Sequence, residues 1–234
     1  KEQGGFYGQI NNDMRIVREA EKGLVLNARI LWTFSTVYLK FQQEEDLILA
    51  HRAHDYITRF FFDRENGGYF WSLNADGSPR ETKKQIYAQA FTIYGLSEYY
   101  KVTKNEEVLQ QARELFRLIE EKAFDPVKNG YIEARNREWL PMDDIRLSEK
   151  DMNVAKSMNT HLHILEAYGN LYQVWEDPFL KQQLENLIRI FTDIIIHPDD
   201  HHQLLFFDAD WVSQSSGISF GHDIETSWLL HEAA

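Results

Sequence analysis

The sequence predicts an all-α fold, an (α/α)6 toroid in which helical hairpins stand around a central axis. Two observations lead to it: a short glycine-aromatic motif recurs at nearly constant spacing, and each interval between its copies contains two stretches of helical periodicity. The repeating unit of ~60 to 70 residues is longer than that of open solenoids such as TPR arrays, which repeat every ~33 to 47 residues. We therefore favour the ring over the solenoid.

The glycine-aromatic motif marks the loops of the ring. Its three clear copies are Gly4-Gly5-Phe6-Tyr7-Gly8, Gly67-Gly68-Tyr69-Phe70-Trp71 and Asn129-Gly130-Tyr131-Ile132-Glu133, and a degenerate fourth is Gln203-Leu204-Leu205-Phe206-Phe207. The second glycines of the clear copies lie 63 and 62 residues apart. Because glycine permits positive φ and aromatic residues favour extended backbone, each copy predicts a turn that leads into a short strand.

Between the loops, apolar residues recur at steps of three or four, the period of an α-helix. This spacing predicts seven helices, over residues 24–41, 46–61, 86–100, 106–121, 152–175, 178–196 and from just after Gly221. A ring of six such hairpins needs roughly 360 residues at this period. We therefore expect residues 1–234 to be a single barrel domain that is only partly present.

Composition and charge narrow the function. A net charge of -12 repels polyanions, so neither nucleic acid nor an anionic membrane is expected as a partner. The chain has no cysteine, no apolar run near the ~20 residues of a membrane helix, and no signal-peptide pattern. Aromatic residues make up 14% of the chain, and their flat rings suit the C–H faces of sugars. We expect a soluble, cytoplasmic monomer or weak dimer that acts on a small carbohydrate.

Polar side chains lie near the start of the first helix of each hairpin, where the loops line one mouth of the ring. They belong to Arg29, Tyr87, Gln89, Asn159, His163 and His222. Because they occupy similar places in successive repeats, we expect them to converge on one site. Asn159 and His163 are four residues apart and share a helical face, whereas His161 must point elsewhere.

A second group of candidate residues begins the seventh helix. His222, Glu225 and Trp228 follow one another at steps of three and lie on one stripe. A carboxylate at Glu225 can accept a hydrogen bond from the imidazole and fix its tautomer, which predicts a general base at His222. We interpret the other histidines as core or surface residues: His51, His54, His197, His201, His202 and His231.

Other chemistries find less support in the sequence. No metal or cofactor is expected, since HExxH, thiolate, P-loop and dinucleotide motifs are absent. The acidic segments Asp143-Asp144 and Asp208-Ala209-Asp210 could supply the paired carboxylates of an inverting glycoside hydrolase. Acidic loops are more often solvated turns, and a non-catalytic sugar-binding fragment is a third alternative.

Four runs carry a resemblance to a known family. They are NARILWTF at 27–34, KQIYAQAF at 84–91, MNTHLH at 158–163 and GHDIE at 221–225. In this order they resemble the N-acylglucosamine 2-epimerase superfamily, and within it most closely the cellobiose 2-epimerases. The resemblance covers the whole chain and implies an (α/α)6 barrel with roughly one helix missing at the front of this chain and several at its back.

The resemblance also implies catalytic roles. Arg29 matches an arginine that contacts the sugar near its carbonyl end, and Asn159 and His163 match polar residues at the reducing-end glucose. His222 matches one of two acid/base histidines, and Glu225 matches its orienting neighbour. The second acid/base histidine of the family would lie beyond the last residue of this sequence.

The implied substrate is a β-1,4-linked disaccharide such as cellobiose or lactose. Tyr87 and Phe91 match the wall beside it, and Trp228 matches a neighbour of the acid/base histidine that packs at the site. The implied reaction interconverts glucose and mannose at the reducing end through ring opening, removal of the C2 proton, a cis-enediol and reprotonation, without a cofactor. Because an enediol can also collapse to a ketose, an aldose-ketose isomerase is the nearest alternative.

Overall fold

The computed structural model describes residues 4–234, and the helices in this range follow the predicted alternation. They are α1 (Leu24–Phe41), α2 (Glu44–Tyr56), α3 (Ile86–Thr103), α4 (Glu106–Lys122), α5 (Met158–Tyr172), α6 (Pro178–Ile190) and α7 (Phe220–Ala233). Helices α1, α3, α5 and α7 stand side by side as an inner layer, and α2, α4 and α6 pack against its outer side. In the described residues no helix is both long and apolar enough to cross a membrane.

Burial differs between the two layers for a simple geometric reason. The outer helix α4 buries one stripe, which consists of Val108, Leu109, Ala112, Leu115, Phe116 and Ile119. The inner helix α3 is buried on most of its surface, because α1 and α5 flank it and α4 covers its back. An amphipathic helix can serve only in the outer layer, whereas an inner helix must be apolar or internally paired on several sides.

The helix boundaries follow from local capping. Asn105 begins α4 by accepting a hydrogen bond from the Glu107 amide, and Asp177 begins α6 with Pro178 in its first turn. The outer helices α2 and α6 continue into single π turns over Ile57–Phe61 and Phe191–Ile195. The predicted helices over 46–61 and 178–196 therefore exist, but their last turns are wider than α-helical.

The fifth helix begins later than predicted. Residues 152–155 are irregular and Lys156–Ser157 form a strand, so the helix starts at Met158 and ends at Tyr172 rather than spanning 152–175. The backbone of Lys156–Ser157 pairs with Phe206–Phe207, and the Ser157 hydroxyl caps the Thr160 amide. A long-range strand pairing thus overrides the local helical pattern.

Short strands join successive hairpins at the N-terminal ends of the inner helices. They are β1 (Lys22–Gly23), β2 (Ser72–Leu73), β3 (Pro79–Glu81), β4 (Lys84–Gln85), β5 (Ala134–Arg135), β6 (Lys156–Ser157) and β7 (Phe206–Phe207). The antiparallel pairs β1–β2, β4–β5 and β6–β7 each link the entrance of one inner helix to the loop of the next hairpin. The second and third glycine-aromatic motifs lie at turns as predicted, but Tyr69 and Tyr131 form only single bridges and the paired strands follow them. The first copy shows bends at Gly5 and Gly8, and the fourth copy has no turn within it.

Two glycines of the motif are required by both backbone and packing. Gly68 and Gly130 have φ of 67° and 82°. A Cβ at Gly68 would overlap the indole of Trp139, and one at Gly130 would overlap the indole of Trp211. Each tryptophan also donates a hydrogen bond to a backbone carbonyl of the turn that it covers. The recurrence of glycine in the motif therefore reflects an aromatic ring seated on each turn.

Buried lysines anchor the same loops. Lys22, Lys84 and Lys156 each lie two residues before an inner helix and are at most 6% exposed. The ammonium of Lys84 lies 2.9 Å from the carboxylate of Asp63, and that of Lys156 lies 3.1 Å from Asp125. Although burial opposes it, hydrogen bonds from Arg137 and Lys84 hold the pKa of Asp63 well below its ordinary value. These pairs tie the glycine turns to the helix starts.

Candidate active site

Residues at the same position of each inner helix form layers around the ring axis. The fourth residues are Asn27, Gln89, His161 and Asp223, the sixth are Arg29, Phe91, His163 and Glu225, and the ninth are Trp32, Tyr94, Glu166 and Trp228. We refer to these sets as the fourth, sixth and ninth layers. The fourth layer supports the loops, whereas the sixth and ninth supply most of the candidate site.

The fourth layer holds backbone amides of the glycine-aromatic turns. The side-chain oxygen of Gln89 accepts a 2.9 Å hydrogen bond from the Tyr69 amide, and Asp223 accepts one of 3.0 Å from the Gln203 amide. Gln89 is fully buried. The expectation that Gln89 joins the polar group at the mouth is therefore wrong, because its amide is committed to the loop.

His161 performs the same supporting role in the third hairpin. Its Nε2 accepts a 2.9 Å hydrogen bond from the Tyr131 amide, and its Nδ1 lies 2.7 Å from the Ser157 carbonyl oxygen. A carbonyl can only accept, so Nδ1 carries the hydrogen and the ring is neutral. Burial lowers the pKa of His161 to about 4, which agrees with this state. As predicted, His161 points away from His163.

Four of the predicted site residues lie together: three from the sixth layer, and Tyr87 from the second position of α3. The ring of His163 lies 4.6 Å from that of Phe91 and 4.9 Å from that of Tyr87, measured between centroids. The guanidinium of Arg29 lies 5.3 Å from the Phe91 centroid. We call Arg29, Tyr87, Phe91 and His163 the aromatic cluster. Burial raises the pKa of Tyr87 to about 12, with a further contribution from Glu225, so its phenol is a neutral donor at pH 7.

A histidine-carboxylate pair exists, but not where the sequence analysis places it. Nδ1 of His163 lies 2.8 Å from a carboxylate oxygen of Glu166. In the described part of the chain, His222 makes no hydrogen bond to Glu225; its Nδ1 lies 2.8 Å from the hydroxyl of Ser219 instead. The expected pairing of His222 with Glu225 is therefore wrong, because the residue that precedes α7 already occupies Nδ1.

His222 and Asn159 line a separate cavity that none of the four residues of the aromatic cluster lines. Both line a space of about 70 Å³ between the start of α5, the start of α7 and the loop before α5. Glu133 forms part of its wall. His222 is half-buried and shares this cavity with Asn159. Asn159 itself lies one helical turn before His163 on α5. Glu133 was not among the predicted site residues.

The ninth layer forms an aromatic and acidic wall deeper along the inner helices. Trp32 stacks on Tyr94 with ring centroids 5.2 Å apart. Trp32, Tyr94, Glu166 and Trp228 line one cavity of about 270 Å³. Trp228, which is 53% exposed, belongs to this cavity and not to the one that His222 lines. The predicted single stripe of His222, Glu225 and Trp228 is therefore distributed over different parts of the inner surface.

The acidic segments considered for glycoside hydrolysis serve local structure. Asp144 pairs with Arg146 at 2.7 Å in an exposed loop. Asp208 accepts hydrogen bonds from the amides of Asp210 and Val212 and so closes a turn. Over residues 4–234, no group of three or more histidine, aspartate or glutamate side chains is arranged to hold a metal ion.

Some residues of the inner surface escaped the sequence analysis. Trp32, Tyr94 and Glu166 occupy the ninth layer, and Glu133 lies in the His222 cavity. Counting from the starts of the inner helices would have identified the ninth layer, since Trp228 was already a candidate. That count needs helix starts that are correct to one residue, and the predicted start of the fifth helix is six residues too early.

Comparison with known proteins assigns the chain to a family. Residues 5–234 match the family model described as N-acylglucosamine 2-epimerase (GlcNAc 2-epimerase). A cellobiose 2-epimerase of Bacteroides fragilis is 54% identical over 234 residues, which are 100% of this chain and 60% of the relative. A cellobiose 2-epimerase of Dictyoglomus turgidum is 40% identical over 98% of this chain and 59% of its own length.

A solved structure agrees with this assignment. The cellobiose 2-epimerase of Bacillus thermoamylovorans B4167 superposes with a TM-score of 0.96 at 40% identity, over 99% of this chain and 60% of that structure. Its fold is an (α/α)6 barrel, which confirms the predicted toroid. The chain spans about 60% of the length of the relatives that it matches. The chain belongs to the N-acylglucosamine 2-epimerase family and is similar over its whole length to cellobiose 2-epimerases.

Proposed function

We propose that the intact protein carrying this chain is a sugar 2-epimerase that interconverts glucose and mannose at the reducing end of β-1,4-linked disaccharides such as cellobiose and lactose. One observation carries the proposal: His163, Tyr87, Phe91 and Arg29 form one cluster in a chain 54% identical to a cellobiose 2-epimerase. On α5, His163 lies one helical turn after Asn159, which lines the His222 cavity. Aromatic walls, a cation and histidines are the groups that such a reaction needs.

The reaction begins with opening of the sugar ring to the free aldehyde. The carbonyl acidifies the hydrogen on C2, and a base removes that proton to leave a cis-enediol. Return of a proton to the opposite face of C2 inverts the centre, and ring closure completes the cycle. The electrons stay within the sugar throughout, so no redox partner is needed.

His222 is the acid/base group in this scheme. Its Nδ1 is engaged by Ser219, which leaves Nε2 to exchange a proton with C2. Imidazole suits the task because it changes charge near neutral pH and can serve in both directions. Inversion needs a second group on the opposite face, and on the family resemblance this group lies in sequence beyond Ala234.

Arg29 stabilises the oxygen that becomes negative as the proton leaves C2. Its guanidinium lies against the Phe91 ring, which holds it in place and lowers the local polarity around it. A cation that is already held in position lowers the energy of a developing oxyanion more than freely reorienting water does. Tyr87, with its neutral phenol, supplies a further hydrogen-bond donor to the same region.

His163 binds the substrate and assists the proton transfers. Glu166 accepts a hydrogen bond from Nδ1 of His163, so Nε2 carries the lone pair. Nε2 is therefore available to accept a hydrogen bond from a sugar hydroxyl or to take up a proton. Asn159 lies one turn earlier and adds an amide at the His222 cavity. Trp228 presents an exposed aromatic face to a sugar ring, and Phe91 supports the wall from behind Arg29 and His163. Glu225 adds a carboxylate whose charge helps to keep the phenol of Tyr87 protonated.

Product analysis with the intact protein tests the proposal. Incubation with cellobiose should yield glucosyl-mannose as the product. Glucosyl-fructose in its place would identify an aldose-ketose isomerase, because the enediol is then protonated at C1 and the C2 hydroxyl loses its proton to become the carbonyl. Release of free glucose would identify a glycoside hydrolase, and either of these products as the main one would contradict the proposed epimerisation.

A further inference from the structure

Glu133 is a buried acid with one carboxylate oxygen left over. It is 4% exposed, and its Oε2 accepts a 2.8 Å hydrogen bond from the Thr160 hydroxyl. Within residues 4–234, Oε1 has no hydrogen-bond partner. No lysine or arginine pairs with Glu133 in the described residues, and burial raises its pKa to about 7. Burying an unpaired acid costs folding free energy, so its presence calls for another reason.

The repeat shows that the fold itself does not require this acid. The carbonyl oxygens of Trp71, Glu133 and Leu205 accept hydrogen bonds from the first amides of α1, α3 and α5, respectively, so the three residues occupy equivalent positions. Two of the three are apolar. An acid at the remaining position departs from the pattern, and this acid lines the cavity that also contains His222.

The surroundings of Glu133 indicate what it binds. Asn159 lines the same cavity, and its Oδ1 is also buried and without a partner in the described part of the chain. Two acceptors at one cavity call for a ligand that brings hydrogen-bond donors. The volume of about 70 Å³ admits a hydroxyl or hydroxymethyl group. The hydroxyl groups of a sugar are donors of this kind.

We propose that Glu133 is a further substrate-binding residue, whose Oε1 accepts a hydrogen bond from a sugar hydroxyl group in the cavity that it shares with Asn159 and His222. The proposal rests on the proposed function, since it takes the ligand to be the carbohydrate substrate. Thr160 holds the other carboxylate oxygen and fixes the direction of Oε1. The contact positions the sugar relative to His222.

The repeat supplies an informative variant. Glu133→Leu introduces the residue that stands at the equivalent position 205 and removes the buried acid, so the fold should be at least as stable as before. Glu133→Gln keeps the shape and one acceptor oxygen. Glu120→Gln is the matched control, because Glu120 is a partly buried acid whose pKa is also raised to about 7 but which lies on the outer helix α4.

The measurements are the Kd for cellobiitol and the KM for cellobiose, both with the intact protein. Cellobiitol has no carbonyl and cannot react, so it reports binding alone. Glu133→Leu should raise both the Kd and the KM about ten- to a hundredfold, because it removes one hydrogen bond to a charged group. Glu133→Gln should raise both by less. Glu120→Gln should leave both within about twofold.

Two results separate failure of this proposal from failure of the proposed function. In the first result, the wild-type protein epimerises cellobiose but Glu133→Leu binds cellobiitol as tightly as wild type does, which would mean that Glu133 contacts no sugar. If Glu133→Leu does not fold, the same comparison is made with Glu133→Gln. If the wild-type protein neither converts cellobiose nor binds cellobiitol, the proposed function fails and this proposal fails with it. A purely structural role would lower the unfolding midpoint of Glu133→Leu while leaving cellobiitol binding intact.

Discussion

Glu166 accepts a 2.8 Å hydrogen bond from Nδ1 of His163, one turn earlier on the same inner helix, and so links the ninth layer to the aromatic cluster. Both side chains are largely buried, at 7% and 13% exposure. The pairing therefore fixes the tautomer of His163 where solvent cannot do so.

Changing Glu166 should lower turnover in two steps. Glu166→Gln keeps an acceptor for Nδ1 but loses the charge, and we expect kcat/KM to fall about tenfold. Glu166→Leu removes both the acceptor and the charge, so either tautomer of His163 becomes available. We expect kcat/KM of this variant to fall about a hundredfold or more. Steady-state kinetics on cellobiose measures this. Equal losses in the two variants would mean that tautomer control is not the role of Glu166.

Replacing Arg29 should impair catalysis without unfolding the protein. Arg29 is exposed in the described chain and carries no salt bridge there, so Arg29→Met should change the free energy of unfolding by less than about 0.5 kcal/mol. We expect kcat/KM to drop by about 10² to 10³, the usual effect of removing a charge that stabilises an oxyanion. Arg59→Met on the outer surface is the control. An unchanged kcat in Arg29→Met would remove Arg29 from the mechanism.

The ion pair beneath the second glycine turn should contribute strongly to stability. Asp63→Asn leaves the ammonium of Lys84, which has no exposed side-chain surface, without its anion. We expect a loss of about 3 to 5 kcal/mol in the free energy of unfolding, measured by urea denaturation. Asp55→Asn breaks the exposed pair with Arg59 and should cost less than about 1 kcal/mol. Similar losses in the two variants would contradict the anchoring role of the buried pair.

Glu120 should make stability depend on pH. Burial raises its pKa from 4.5 to about 7, although the hydroxyl groups of Tyr131 and Tyr168 donate to it and oppose the shift. The folded protein holds the proton of Glu120 more tightly than the unfolded chain does, because the folded pKa is the higher one. The stability that this proton contributes is therefore complete below pH 4.5 and is lost as pH rises through about 7. Glu120→Gln mimics the protonated acid. It should match wild type at pH 4.5 and exceed it by up to about 3 kcal/mol at pH 8.

The measurement for Glu120 is the difference in unfolding free energy between wild type and Glu120→Gln across this pH range. Taking the difference cancels the titration of all other groups, as long as the two proteins unfold alike. A difference that stays constant from pH 4.5 to pH 8 would show that Glu120 titrates at its ordinary value in the folded protein.

The sequence was most informative where local pattern and fold agree. The bounds 24–41 for the first helix are confirmed, because its periodicity is continuous and a loop residue with positive φ, Gln42, follows it. The start of the fifth helix was not predictable in the same way. Residues 152–157 carry a helical pattern, yet Lys156–Ser157 pair with a strand some 50 residues later.

The sequence predicted which residues belong to the candidate site better than it predicted the hydrogen bonds between them. Arg29, Tyr87, Phe91 and His163 lie together as expected, because each occupies the mouth-facing part of an inner helix. The hydrogen-bond partner of His222 was not predictable, since spacing alone favours Glu225 and only the structure shows Ser219 in place.

The buried lysines were hidden for another reason. Lysine is almost never fully buried, so no sequence pattern points to Lys84 or Lys156 as core residues. Their regular position two residues before each inner helix becomes visible only once the helix starts are known.

Transfer of solvent hydrogen to C2 tests the central claim most directly. The intact protein is incubated with cellobiose in deuterated water, and the disaccharide is examined by NMR. We predict deuterium at C2 of the reducing-end sugar in the epimer, and loss of this exchange by at least about 10² in His222→Asn, with cellobiitol still bound. Epimer formed without deuterium at C2, or full exchange in His222→Asn, would contradict proton transfer by His222.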